Sequence, residues 1–214
     1  MDLPKSKRAL AAIKTCLFIA CLIPFAKLSL GILLDTLGAN PVEAITRGTG
    51  IWALNLLLAT LSVSPLRIVT GAGRLLLLRR MLGLFAFFYA TLHLSCFVVF
   101  DHFFDWAEII RDIQKRPFVT VGFLSWLLLV PLAATSNRFS ISRLGASRWQ
   151  ALHKTVYLIA ILSCLHYLWL VKVVAILDPV AYSAIILFLL AFRVRPLGLR
   201  GAIPPPESKK PPTP

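Results

Sequence analysis

Charge, and acidic charge above all, is scarce in this chain. Only nine of its 214 residues are acidic and only 15% carry a charge of either sign, against about 25% in a soluble domain. Hydrophobic residues make up 58%, and mean hydropathy is +0.80. Such a chain has too little polar surface to enclose a globule in water, so lipid is its solvent over most of its length. A soluble domain, a disordered chain and a nucleic-acid module are excluded together. Four cysteines are too few for a disulfide scaffold, and their apolar settings suit packing. Neither G-x-G-x-x-G nor a P-loop occurs, and no loop is long enough to fold a nucleotide-binding domain. Alternating ten-residue patterns are missing, which argues against a barrel.

What is present is a series of apolar runs. A membrane-spanning helix needs about 20 mostly apolar residues, and six segments qualify: 11–34, 50–68, 81–103, 117–135, 152–172 and 179–195. The expected architecture is an all-α integral membrane protein, a six-transmembrane-helix bundle. Residues 1–10 lead in, 11–195 form the transmembrane domain, and 196–214, rich in Pro, Lys and Ser, read as a disordered tail. Pro24 and Pro131 lie inside spans, where a kink is tolerated if neighbours satisfy the freed carbonyl. The first run is too long for a signal-peptide core and has no A-x-A site after it.

The net charge of +14 is unevenly distributed. With the N-terminus cytoplasmic, cytoplasmic segments hold 17 of the 23 basic residues and two acids, Asp2 and Glu207. The remaining six basic residues share the other side and the span interiors with seven acids, a split of +15 against −1. The positive-inside rule then places both termini in the cytoplasm. Basicity is thus a topology signal and needs no nucleic acid.

Three of the four histidines fall within spans: His93 in the third, His153 and His166 in the fifth. An ionisable residue in a span is a functional hypothesis by default, and neutral imidazole is a good axial ligand for haem iron. His93 follows Arg80 by 13 residues, about 20 Å at 1.5 Å per residue. His166 sits about 22 Å into its helix by the same rise. The two are therefore level, about two-thirds of the way across a core of about 30 Å, as ligands of one haem toward the outer leaflet should be. His153 lies near the cytoplasmic side and marks a second redox site. The alternative is that these histidines hydrogen-bond neighbouring helices or line a proton path. His102, in Asp101-His102-Phe103-Phe104-Asp105, suits an interfacial position. No C-x-x-C-H occurs, so covalent haem attachment is excluded. Lys27 is expected to snorkel outward, and Glu43 with Arg47, spaced i, i+4, to form an ion pair. Trp149, Tyr157, Tyr167 and Trp169 either stack near a cofactor or belong to interfacial belts and packing.

Arg148-Trp149-Gln150-Ala151-Leu152-His153-Lys154-Thr155-Val156-Tyr157 and His166-Tyr167-Leu168-Trp169 resemble the signature of the MsrQ family. So do Arg79-Arg80-Met81-Leu82-Gly83-Leu84 leading to Thr91-Leu92-His93, and Gly38-Ala39-Asn40-Pro41-Val42-Glu43 leading to Thr49-Gly50. The resemblance covers nearly the whole chain except its extreme N-terminus and the stretch after Arg195. It implies membership of the ferric-reductase-like transmembrane group, with b-type haem, and FMN as a further cofactor. It also implies a bacterial inner-membrane electron carrier from the quinone pool, or a cytoplasmic flavin reductase, to a periplasmic molybdopterin-containing MsrP-type subunit that reduces methionine sulfoxide in proteins. Substrate reduction would then occur on the partner, and no residue here reads as catalytic. Larger relatives carry two histidines on the third helix. Here the position 14 before His93 is Arg79, which cannot ligate iron. Arg79 and Arg80 instead suit haem propionates or a flavin phosphate, or serve as positive-inside anchors. The resulting reading is an electron conduit with His93, His166, His153, Arg79 and Arg80 as cofactor residues, the three histidines as metal ligands. Its rivals are a proton-coupled small transporter and a self-contained cytochrome b that reduces quinone or metal ions.

Overall fold

The computed structural model describes residues 3–170 and 176–194, with side chains for 8–170 and 176–192. The expected tail at 196–214 lies outside the described residues. Nine α-helices are found among the described residues, and no strand. They are α1 (Leu3–Leu33), α2 (Pro41–Thr70), α3 (Leu76–Cys96), α4 (Trp106–Lys115), α5 (Pro117–Ala134), α6 (Arg138–Leu144), α7 (Ala146–His153), α8 (Val156–Leu170) and α9 (Leu177–Val194). Five stretches are long and apolar enough to cross a membrane: Arg8–Leu33, Pro41–Thr70, Gly73–Asp101, Pro117–Ala134 and Ala146–Leu170. The sixth expected span corresponds to a shorter apolar helix, Leu177–Phe192.

The boundaries depart from the expected ones for local reasons. α1 is helical from Leu3, so the described part of the expected lead-in, residues 3–10, is continuous with the first span. α2 begins nine residues before its apolar run, because Asn40 caps it by accepting from the Glu43 N–H at 3.2 Å and Pro41 occupies the first turn, where a missing N–H costs nothing. α2 ends on Gly71 at φ 68, the left-handed cap that glycine adopts without strain. α3 runs on through one turn of π-helix, Phe97–Asp101. The stretch after it folds into α4, whose Asp105 cap accepts from Glu108 N–H at 3.0 Å. The fifth span is broken by a turn at Lys154–Thr155 between α7 and α8.

α2 packs along α3 and α5 along α8, while α9 touches both α8 and α2. Leu61, Tyr89, Ile159 and Ala160 are fully buried at the centre. Large apolar side chains such as Ile19, Ile23, Leu30 and Phe188 are exposed, as a lipid-facing surface requires. Arg67, Arg74, Arg79, Arg80, Arg138 and Arg143 gather where α2 meets α3 and α5 meets α6, hereafter the basic end. The α1–α2 and α4–α5 connections lie at the far end.

Pro24 leaves α1 with a disturbed ladder, and Tyr89 of α3 repairs it. The Tyr89 hydroxyl donates to the Cys21 carbonyl at 2.7 Å and accepts from the Phe25 N–H at 2.9 Å. It is thus inserted into the i→i−4 ladder where a helix normally bends.

Candidate functional site

α3 and α8 bring His93 and His166 together, with ring centroids 6.0 Å apart and planes at 77°. Each ring is anchored on the neighbouring antiparallel helix. His93 Nδ1 lies 2.8 Å from the Thr46 carbonyl oxygen of α2, and His166 Nδ1 lies 2.7 Å from that of Phe118 in α5. A carbonyl only accepts, so each Nδ1 carries the hydrogen and each Nε2 keeps a lone pair, the form that ligates metals. The Thr46 carbonyl also accepts from Thr49 Oγ1 at 3.0 Å.

Two metal–imidazole bonds of about 2 Å each, added to the two ring radii, come to about 6 Å, so the separation fits one metal between the rings. The Thr46 hydroxyl is buried and lies beside the Cys96 thiol of α3. Among the described residues no acidic side chain pairs with either ring, so both stay neutral donors. No group of three or more His, Cys, Asp or Glu able to hold a bare metal ion occurs among them either. Cys21, Cys96 and Cys164 are free and buried, and Cys16 is free and exposed.

His153 lies apart from this pair, at the basic end, in a cavity of about 500 Å³ that Arg79, Arg80, Trp149, Gln150 and Lys154 also line. No acidic residue is among the described residues lining it. His153 stacks on Trp149 at 4.0 Å between centroids and 26° between planes. Its Nε2 is 3.1 Å from Thr135 Oγ1. That hydroxyl gives its hydrogen to the Pro131 carbonyl at 2.6 Å, so it accepts from His153, and Nε2 carries the proton. Trp149 Nε1 donates to the Thr135 carbonyl at 2.9 Å. Arg79 is near enough for its charge to bear on the imidazole. His153 thus holds the opposite tautomer from the far pair.

Between the two places stands Trp126 of α5. Its Nε1 donates to Thr91 Oγ1 at 3.1 Å, and its ring stacks on Phe87, which lines the cavity, and on Phe123.

His102, past the π-turn that ends α3, is buried, with Nε2 3.3 Å from Asp112 Oδ2 and Phe97 against its ring at 4.4 Å. Amphipathic α4 folds back over it and carries Asp112 inward. One expectation needs correction: among the described residues no Glu43–Arg47 ion pair forms. Asn40 Nδ2 takes Glu43 at 3.1 Å, and Arg47 reaches Tyr167 of α8. Tyr167 meets Tyr182 of α9 edge to face, and Trp169 is exposed. The carbonyls of Thr46 and Phe118 were missed, since a backbone acceptor has no side-chain signature. Gly50 and Gly122 had one, an uncapped glycine inside an apolar helix, which usually has a packing reason.

Residues 45–164 match the family described as ferric reductase like transmembrane component, more than half of the chain, which sets the class. Similarity along most of the sequence narrows it. A protein-methionine-sulfoxide reductase heme-binding subunit MsrQ from Azospira oryzae is 53% identical over 194 residues, covering 91% of this chain and 83% of that protein. The protein of the same name from Herminiimonas arsenicoxydans is 50% identical, covering 91% and 89%. That from Rhodospirillum rubrum is 46% identical, covering 86% and 88%. The chain belongs to the MsrQ family. It is a multi-pass protein of the bacterial inner membrane.

Proposed function

We propose that this chain is a haem b-binding electron-transfer subunit of a protein-methionine-sulfoxide reductase system. The observation that carries the reading is the His93–His166 pair, 6.0 Å apart, with each Nδ1 spent on a carbonyl. Its relatives are named heme-binding subunits of such a reductase. Bound haem would supply a one-electron carrier within the membrane. The protein supplies ligands, tautomers and orientation. Thr46 and Phe118 hold the two imidazoles in the ligating form, and the surrounding apolar helices keep water out.

The cavity at the basic end is the electron-accepting side. Arg79, Arg80 and Lys154 suit an anionic group such as a propionate or the phosphate of FMN, and Trp149 and His153 offer a planar face. With Nε2–H given to Thr135, the lone pair through which His153 would ligate a metal there is on Nδ1. The basic end faces the cytoplasm, α9 completes a sixth span, and both termini are cytoplasmic, as the charge split requires. Electrons come from the quinone pool or a flavin donor and leave at the far end to a periplasmic molybdopterin-containing catalytic subunit of the MsrP type. That subunit, and not this chain, reduces the sulfoxide.

The test is an absorption spectrum of the purified chain with iron quantified per polypeptide. A Soret band with bound iron is expected; its absence in cells supplied with haem overturns the reading. A reporter active only outside the cytoplasm should be silent after Pro214 and active within 104–116.

A further inference from the structure

Glycine in a helix interior costs about 1 kcal/mol relative to alanine, yet α2 and α5 each place one against a histidine ring. A methyl group at Gly50 would stand 3.0 Å from His93 Cε1 and Nδ1. At Gly122 it would stand 2.6 Å from His166 Nδ1 and 2.8 Å from Cε1. At Gly122 the distance is shorter than real contacts, so the ring would have to leave its place, whereas at Gly50 it is tight and the ring would have to give by a few tenths of an ångström.

The two glycines share a register. Gly50 follows Thr46 by four residues, and Gly122 follows Phe118 by four. Thr46 and Phe118 supply the carbonyls that hold the two Nδ1 atoms. Residues i and i+4 lie one above the other on a helix face, so each glycine clears the space through which an imidazole reaches the carbonyl one turn away. The same device thus occurs twice, on two antiparallel helix pairs. Gly48, two residues from Gly50, is different: a methyl there would meet only the side chain of Leu28, at 3.1 Å, and that flexible group can move.

We infer that Gly50 and Gly122 are positioning residues for cofactor ligation, resting on the reading of His93 and His166 as the haem ligands. They seat each imidazole on its carbonyl, fixing the tautomer and the ring orientation. A carbonyl on Nδ1–H also makes the imidazole a stronger donor to metal, which favours the oxidised state. Displacing the ring should therefore weaken haem binding and raise the midpoint potential of what remains.

The experiment uses the full chain purified in detergent as parent, Gly50→Ala, Gly122→Ala, Gly48→Ala, His93→Ala and His166→Ala. Haem per polypeptide, midpoint potential and the paramagnetic resonance of the ferric form are read for each. Gly122→Ala should weaken haem binding about tenfold, within the range for groups that orient a ligand. It should also raise the reduced-to-oxidised ratio at fixed potential about tenfold, or about 59 mV for one electron. Gly50→Ala should shift both readings the same way by less, since 3.0 Å is a milder clash than 2.6 Å. Gly48→Ala should match the parent. If both glycine variants match the parent while His93→Ala and His166→Ala lose haem, the inference falls and the ligation reading stands. If the histidine variants keep haem, the ligation reading falls and takes the inference with it. If Gly122→Ala does not accumulate, Gly50→Ala decides alone. Equal losses in Gly48→Ala would assign the effect to helix packing and overturn the inference.

Discussion

At the far end of the bundle two imidazoles give Nδ1–H to backbone carbonyls and keep Nε2 free, whereas at the basic end the single imidazole gives Nε2–H to a threonine hydroxyl. The first arrangement uses acceptors that cannot rotate and glycines that leave room for each ring to reach its carbonyl. The second uses a side-chain hydroxyl, a stacked indole and a cavity of about 500 Å³ with three basic side chains on its wall. On the proposed reading, the far end holds its group permanently. The other suits a group that comes and goes, or a charged tail held by guanidinium forks.

The largest effect that follows is at the far pair. His93→Ala or His166→Ala should each remove most of the bound haem, a larger loss than the about tenfold weakening expected from displacing a ring by an orienting-group substitution. Optical spectra with iron analysis check this. Haem retained at the parental level in either variant would erase the contrast between the two ends.

At the basic end the expected change is kinetic. Arg80→Lys keeps the charge but loses the planar fork. The loss amounts to one charge-assisted hydrogen bond of about 1.5 kcal/mol, about a tenfold change. Reduction of the bound haem by quinol or reduced flavin should slow by about that factor, while haem content stays parental. His153→Ala should likewise slow reduction more than it disturbs the far site. If both variants are reduced at the parental rate, the cavity has no redox role and its basic residues only anchor the protein.

Reading the sequence in depth units placed His93 and His166 at one level, and the structure brings their rings together. That succeeded because helix rise is fixed, so position along a span converts directly into height. Height says nothing of rotation, which is why the anchors on α2 and α5 were not foreseen. α4 falls between the expected spans because ten amphipathic residues are too few to cross a membrane, although Asp105 and Glu108 spell a capped helix start. Arg47 reaches across to Tyr167 of α8, while the Glu43 carboxylate accepts from Asn40, the helix cap. The i, i+4 rule ranks partners on one helix and is blind to those on another.

A smaller effect is expected from Tyr89, one turn before His93. Tyr89→Phe keeps the fully buried ring but strands the Phe25 N–H and weakens the satisfaction of the Cys21 carbonyl. A buried backbone group without a partner costs about 1–3 kcal/mol. The melting temperature of the detergent-purified chain should fall accordingly, with haem spectra little changed. A parental Tm would mean that water repairs the Pro24 kink instead.

The smallest effect separates His102 from the other three histidines. It lies past the π-turn of α3, beneath α4, with Asp112 as its partner and Glu108 more distant at 3.9 Å. No second imidazole faces its ring among the described contacts, so it lacks the opposing ligand that His93 and His166 offer each other. Its ring packs on Phe97, while His93 and His166 pack on each other. Asp112 keeps Arg116 at 3.2 Å when His102 is removed, so the acid is not left alone. His102→Ala should therefore cost about 1 kcal/mol, typical of a single substitution, and leave the haem spectrum, iron content and reduction rate at parental values. Loss of haem in this variant would show that α4 and its histidine hold the far pair in place, and that the site reaches beyond the two helix pairs that anchor the rings.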